Sequence, residues 1–265
     1  MKTLRINTIT TDTEMCEVLP QHWISKLKDL VFADDIALLD VSLNGIQDLT
    51  SQVEDAAKLV GLRVNAEKTK IMILGTLPHG NITVSGSTVE TVNEFCYLGS
   101  IIQDDSSCDK NIRARLGKAN GVFGRLTNIW KDNGLSTLHT KIRLYEALVL
   151  STLLYGAETW SMSVSNTKKL EAAHHRWQRK ILKISWKDMI TNKTVRERTG
   201  QDTLESIIRE RRLRWFGHIY RMDSNRIARQ VMDDPSALQK EERTSKGVMD
   251  FNNEKRSGFV GSDMG

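Results

Sequence analysis

The sequence predicts an α+β fold on three observations. Short apolar segments separated by turn residues run to about residue 103, one amphipathic helical segment lies among them, and long helical periodicity takes over from residue 104. With 39% of its 265 residues hydrophobic and 27% charged, the chain has the apolar content to bury a core and does not read as an extended disordered protein.

Residues 1–26 show no sustained periodicity, include Pro20, and read as a poorly ordered leader. From Leu27 to Leu39, two apolar segments flank Ala33, Asp34 and Asp35, which predicts strand, tight turn and strand with the carboxylates at the tip. Ile46, Leu49, Val53, Ala56 or Ala57, and Val60 then recur at helical spacing, with Asn44 as N-cap and Gly61 just past the end. Leu62 and Val64, followed by Ile71, Ile73 and Leu74, predict strands around a turn at Asn65 to Lys70. ITVSGSTV and FCYLGSII predict further short strands, so 27–103 reads as one α+β region.

After Asp104 the apolar residues follow helical periods over about 109–130, 135–160, 166–185 and 203–219, separated by Gly- or Asn-rich turns, which makes 104–222 a helical region. Residues 223–265 carry Pro235, mixed charge and few periodic apolar residues, and read as a disordered tail. No internal repeat is present.

The net charge of +5 conceals an asymmetry. Residues 1–109 hold 8 basic and 16 acidic side chains, residues 110–221 hold 23 and 9, and the remainder 7 and 8. One segment therefore owns the positive field, and its commonest partners are nucleic acid or an anionic membrane surface; a solvated helical surface is the plainer alternative. The three cysteines, Cys16, Cys96 and Cys108, are odd in number and widely spaced, so neither a disulfide framework nor a zinc site is expected. No run approaches the roughly 18 apolar residues of a membrane span, and a soluble intracellular protein is expected, with nothing to decide between nucleus and cytoplasm.

Two adjacent carboxylates between apolar strands repel each other in a low dielectric, and a divalent cation is their natural partner. Magnesium prefers one or two protein carboxylates together with phosphates and water, so Asp34 and Asp35 at a hairpin tip suit phosphoryl or nucleotidyl transfer, whereas an isolated Asp-Asp is most often a solvated turn.

The string Phe32-Ala33-Asp34-Asp35-Ile36-Ala37-Leu38-Leu39 resembles the palm hairpin of reverse transcriptases, in the form seen in non-LTR, LINE-type retrotransposons. Three later features follow in the family's order. Gly61 to Lys70 resembles the next palm motif and puts Lys68 where a lysine lies near the incoming nucleotide's phosphates; a solvated turn lysine is the other reading. Phe95-Cys96-Tyr97-Leu98-Gly99 resembles the primer grip, with Phe95, Tyr97, Leu98 and Gly99 presented to the primer end. Leu154-Tyr155-Gly156-Ala157-Glu158-Thr159-Trp160 and the stretch from Ile207 to Met222 resemble the thumb and downstream region of RTE-like elements.

The resemblance implies a partial palm over 27–103, a basic thumb and downstream region over 104–222, a Mg2+ cofactor and an RNA or DNA primer–template as partner. It also implies a further aspartate on an earlier palm strand, and the acids preceding the hairpin, Asp12, Glu14, Glu17 and Asp29, lack the strand and helix of that motif. A fragment of an RNA-directed DNA polymerase, inactive alone and holding magnesium weakly, is therefore expected. Whether a second chain supplies the missing carboxylate stays open, and a non-enzymatic nucleic-acid-binding remnant is the alternative.

Phosphate contacts are expected from Arg113, Arg115, Lys118 and Arg125 on one helix and from Arg176, Arg179, Lys180 and Lys183 on another. Trp177 and Trp215, at helical spacing, are expected in the core rather than as stacking platforms. His174 and His175, with no acid or cysteine read at ligand spacing on their helix face, are expected to face phosphate or solvent rather than a metal.

Overall fold

Two hydrophobic clusters organise the chain, one against a sheet and one inside a helical body. The computed structural model describes residues 3–11, 27–74, 80–105, 107–132, 134 and 137–234.

The sheet is built from β1 (Thr3–Thr11), β2 (Asp29–Phe32), β3 (Asp35–Asp40), β4 (Arg63–Val64), β5 (Lys70–Leu74) and β8 (Glu90–Thr91), in the order β2-β3-β1-β5-β8 with β4 also pairing β1. β2 and β3 form an antiparallel hairpin, and β1 runs parallel to both β3 and β5. This corrects the expected leader: residues 3–11 are a central strand, while 12–26 lie outside the described residues. Six of the nine β1 residues are β-branched (TLRINTITT), so the local preference is for strand. Its partners, however, lie some thirty or more residues away in sequence, which periodicity does not reveal.

Between β3 and β4, helix α1 (Leu43–Leu59) lays Ile46 and Ala57 against Ile6, Ile36, Leu38 and Ile71. Its N-cap is Ser42, not Asn44: the Ser42 hydroxyl accepts from the Gly45 amide at 3.0 Å, and the Asp40 carboxylate accepts from the Ser42 amide at 2.9 Å. A Cβ at Gly45 would fall 2.2 Å from Asp40 Oδ1, so this close approach needs glycine. At the other end Gly61, with φ 73, donates to the Lys58 carbonyl while Leu62 donates to Ala57, a Schellman closure. Two hairpins follow, β6 (Thr83–Val84) with β7 (Ser87–Thr88) and β9 (Glu94–Tyr97) with β10 (Ser100–Gln103).

The helical body comprises α2 (Asp109–Arg125), α3 (Thr127–Lys131) and α4 (Leu138–Leu144), which continues through a π-helical stretch (Tyr145–Leu150) into α5 (Ser151–Leu153). After these come α6 (Val164–Ile181), α7 (Asn192–Thr199), α8 (Leu204–Tyr220) and α9 (Ile227–Asp233). The helix expected over 135–160 ends near Leu153 because Gly156 takes φ 71 and a 3-10 turn, Ala157–Thr159, replaces it. Helix α7 was not expected. It buries only Val195 and Thr199, too few positions for a period, and is set by the Thr191 N-cap and the left-handed Gly200. Helix α9 corrects the expected tail over 223–234: Arg229 lies 3.7 Å over the Tyr220 ring and donates to the Tyr220 carbonyl at 2.7 Å, docking α9 on α8. Residues 235–265 lie outside the described set.

Aromatic side chains fill the helical core. Phe123 stacks on Trp130 at 5.0 Å and on Trp177 at 6.0 Å, and Tyr145 meets Trp177 edge-on at 6.2 Å. Among the described residues no helix is long and apolar enough to cross a membrane.

Candidate nucleic-acid interface

Phe32 pairs with Asp35 across a two-residue turn in which Ala33 takes φ 55, so local backbone geometry puts Asp34 at the exposed tip and Asp35, half-buried, at the start of β3. The parallel register sets Arg5 of β1 opposite Asp35 and Asn7 opposite Lys70. The hairpin tip and the Asn65–Thr69 turn therefore lie at the same end of the sheet. In that turn the Lys68 amide donates to the Asn65 side chain at 3.1 Å, and the Lys68 side chain is exposed. From the other side the Tyr97 hydroxyl donates to the Leu30 carbonyl at 3.4 Å; burial raises the Tyr97 phenol, and the nearby Asp35 charge raises it further. The fold thus brings Asp34, Asp35, Lys68 and Tyr97 into one region.

Two carboxylates stand at the tip, and among the described residues no group of three or more His, Cys, Asp or Glu side chains converges. A magnesium ion there would have Asp34 and Asp35 as its protein ligands and would draw the rest of its shell from phosphate and water.

The grip-like hairpin is held from behind. Leu98 and Gly99 form its turn, both with positive φ (47 and 78), and Phe95 is buried. The Arg115 guanidinium on α2 donates to the Gly99 carbonyl at 2.5 Å and lies 4.3 Å over the Tyr155 ring, while the Tyr155 hydroxyl donates to the Leu98 carbonyl at 3.1 Å. Arg115 is therefore buried and structural, not the phosphate contact expected of it. On the same segment the Glu158 carboxylate accepts from Arg211 Nε at 2.8 Å, and Arg212 donates to the Glu158 and Trp160 carbonyls. Tyr155 to Trp160 thus ties the β9–β10 turn to α8, and three sequence-distant motifs form one scaffold.

The other expected contacts divide. Arg113, Lys118, Arg125, Arg176 and Lys180 have exposed side chains on α2 and α6. Arg179 instead bridges α6 to α7, donating to the Ile190 carbonyl at 2.6 Å and to Asn192 Oδ1 at 3.0 Å, and Lys183 donates to the Lys131 carbonyl at 2.7 Å. Asn120 joins the two basic helices, its Oδ1 accepting from Arg176 at 3.2 Å and from Trp177 Nε1 at 3.0 Å. Lys131 and Asn120 were missed in the sequence because a lysine at a helix end and an asparagine inside a helix carry no periodic signature.

The expected core position holds for Trp177, which is 1% exposed, and fails for Trp215, which is 43% exposed because α8 turns Leu204, Ile208 and Ile219 inward instead. The reading of His174 also changes. It is fully buried, with Nδ1 2.7 Å from the Tyr145 hydroxyl and Nε2 3.1 Å from the Asp202 carbonyl, a pair that requires the proton on Nε2. Burial pushes its pKa down to about 4. His175 faces Glu171, four residues earlier, at 3.9 Å, so an acid does share its helix face, and Arg196 lies 3.0 Å from its Nε2.

Compared with known proteins, the chain matches no family model, and no solved structure is significantly similar to it. An uncharacterized transposon-derived protein of Caenorhabditis elegans is 25% identical over 213 residues, covering 76% of this chain and 74% of the relative. That likeness supports a transposable-element origin.

Proposed function

We propose that this chain is the end of a palm, the thumb and the downstream region of a non-LTR retrotransposon reverse transcriptase, that it binds RNA or DNA primer–template, and that it does not polymerise by itself. The observation that carries the reading is the convergence at one end of the sheet of the paired-aspartate tip, the Lys68 turn and Tyr97, with a basic helical body behind them. Magnesium, which the resemblance implies, would meet Asp34 and Asp35 alone among the described residues and bind weakly. The absence of a third acid beside the tip among the described residues favours, as a second reading, a nucleic-acid-binding remnant in which the hairpin is structure alone.

Primer extension and fluorescence anisotropy on the same annealed RNA–DNA primer–template test this reading. The expected result is binding without extension in magnesium and deoxynucleotides, with Asp34→Asn leaving affinity nearly unchanged. Extension by the wild type that Asp34→Asn abolishes would overturn the claim of inactivity, and no binding at low salt would overturn the nucleic-acid reading.

A further inference from the structure

Between α2, α3 and α6 lies a cleft of about 640 Å³, within the size range of small-molecule sites. Its rim carries Lys131, Arg176 and Lys180, and no Asp or Glu lines it. A second cleft of about 460 Å³ beside α8, by contrast, is lined by Glu146, Asp202 and Glu210 as well as by arginines. Only the first is uniformly electropositive.

The positive rim is built. Arg176 is anchored by its bond to Asn120 Oδ1, the same oxygen that holds Trp177 Nε1, so the amide nitrogen of Asn120 keeps two further donors. Lys180 stands one turn on from Arg176. The carbonyl end of α3 would oppose an anion, but Lys141 donates to the Trp130 and Asp132 carbonyls and Lys183 to the Lys131 carbonyl. The floor is apolar: the edges of Phe123, Trp130 and Trp177, whose faces are taken up by one another.

Cations without carboxylates over an apolar floor suit a ligand with a phosphate at one end and a flat, weakly polar body at the other. We propose that this cleft seats one nucleotide, its phosphate on Lys131, Arg176 and Lys180 and its base or sugar against the aromatic edges. This inference rests on the nucleic-acid reading above and deepens it by naming the place and the unit bound. The nucleotide is either a residue of a polynucleotide or a free mononucleotide, and the phosphate chemistry is the same.

Gly124 allows the pocket to be separated from the surrounding charge. It lines the cleft, and a Cβ there meets nothing within 4 Å. Gly124→Leu therefore enters the cleft from an unopposed Cβ position, alters no charge and raises helix propensity. Gly121, equally open but outside the cleft lining, is the control.

The experiment uses the full chain and labelled 12-nucleotide single-stranded DNA and RNA, with AMP and adenosine as competitors and a melting curve for each variant. Gly124→Leu is expected to bind much more weakly than wild type while melting no lower, and Gly121→Leu is expected to bind as wild type. The double variant R176Q/K180Q is expected to reduce the slope of log affinity against log salt by about 1.4, two single-strand phosphate contacts at about 0.7 each. Displacement by AMP but not by adenosine supports the pocket with a phosphate-led mode, and displacement by oligonucleotide alone supports it with a chain-internal phosphate. Equal binding by Gly124→Leu, Gly121→Leu and wild type overturns the pocket and leaves the nucleic-acid reading standing. Gly124-sensitive binding of AMP without oligonucleotide binding leaves the pocket standing and overturns that reading. Binding of neither overturns both.

Discussion

Replacing Arg115 with methionine keeps the aliphatic stem in its buried slot and removes the guanidinium from the Gly99 carbonyl and the Tyr155 ring. A hydrogen bond from a charged donor contributes about 1.5–3 kcal/mol, and a cation over an aromatic ring about 0.5–2 kcal/mol depending on its desolvation. Against these, Arg115 Nε is buried without a partner among the described residues, and deleting it relieves a penalty on the order of 1 kcal/mol. The expected net loss is about 2–3 kcal/mol, read from urea unfolding followed by tryptophan fluorescence. In a cycle with Tyr155→Leu the two losses should fall short of additivity by about 1 kcal/mol, because each variant alone breaks the same ring contact. Nucleic-acid binding should keep its salt slope in Arg115→Met and lose roughly one contact in Arg113→Gln. An Arg115→Met variant as stable as wild type within about 0.5 kcal/mol, with a lowered salt slope, would mean that the guanidinium serves phosphate and not the Gly99 turn.

Two further outcomes follow from buried polar groups. His174 holds its pKa near 4 in the folded chain against an ordinary 6.5, so the unfolded chain takes up the proton first as pH falls. Stability should be full above about 6.5 and decline by roughly 3 kcal/mol toward pH 4; denaturant midpoints across that range would measure it, and His174→Gln should flatten the slope. Asn7 is fully buried in β1 with neither side-chain polar atom bonded among the described residues, so Asn7→Val should raise stability by about 1–2 kcal/mol. An unfolding midpoint that falls on that change would mean the Asn7 amide has a partner that matters.

What the sequence determined by itself is what local chemistry determines. The Asp34–Asp35 hairpin is legible because two apolar segments and a two-residue turn are contiguous, and α1 because its period, its following Gly61 and its apolar face all lie within twenty residues. The change to a basic helical region after residue 104 is likewise a matter of composition and period. Partnership was decided only by the tertiary structure. β1 carries no period that marks it as more than a leader and becomes a central strand through parallel pairing with β3 and β5. Arg115 and Arg113 stand two residues apart on one helix, yet α2's rotation buries the first against Gly99 and leaves the second in solvent. The motifs from Phe95 to Gly99, Leu154 to Trp160 and Ile207 to Met222 are visible as strings, but their joint role rests on contacts 53 and 57 residues apart in sequence. A residue's period and turn chemistry are properties of its neighbours along the chain, whereas its burial and its hydrogen-bond partner depend on which distant surface folds over it.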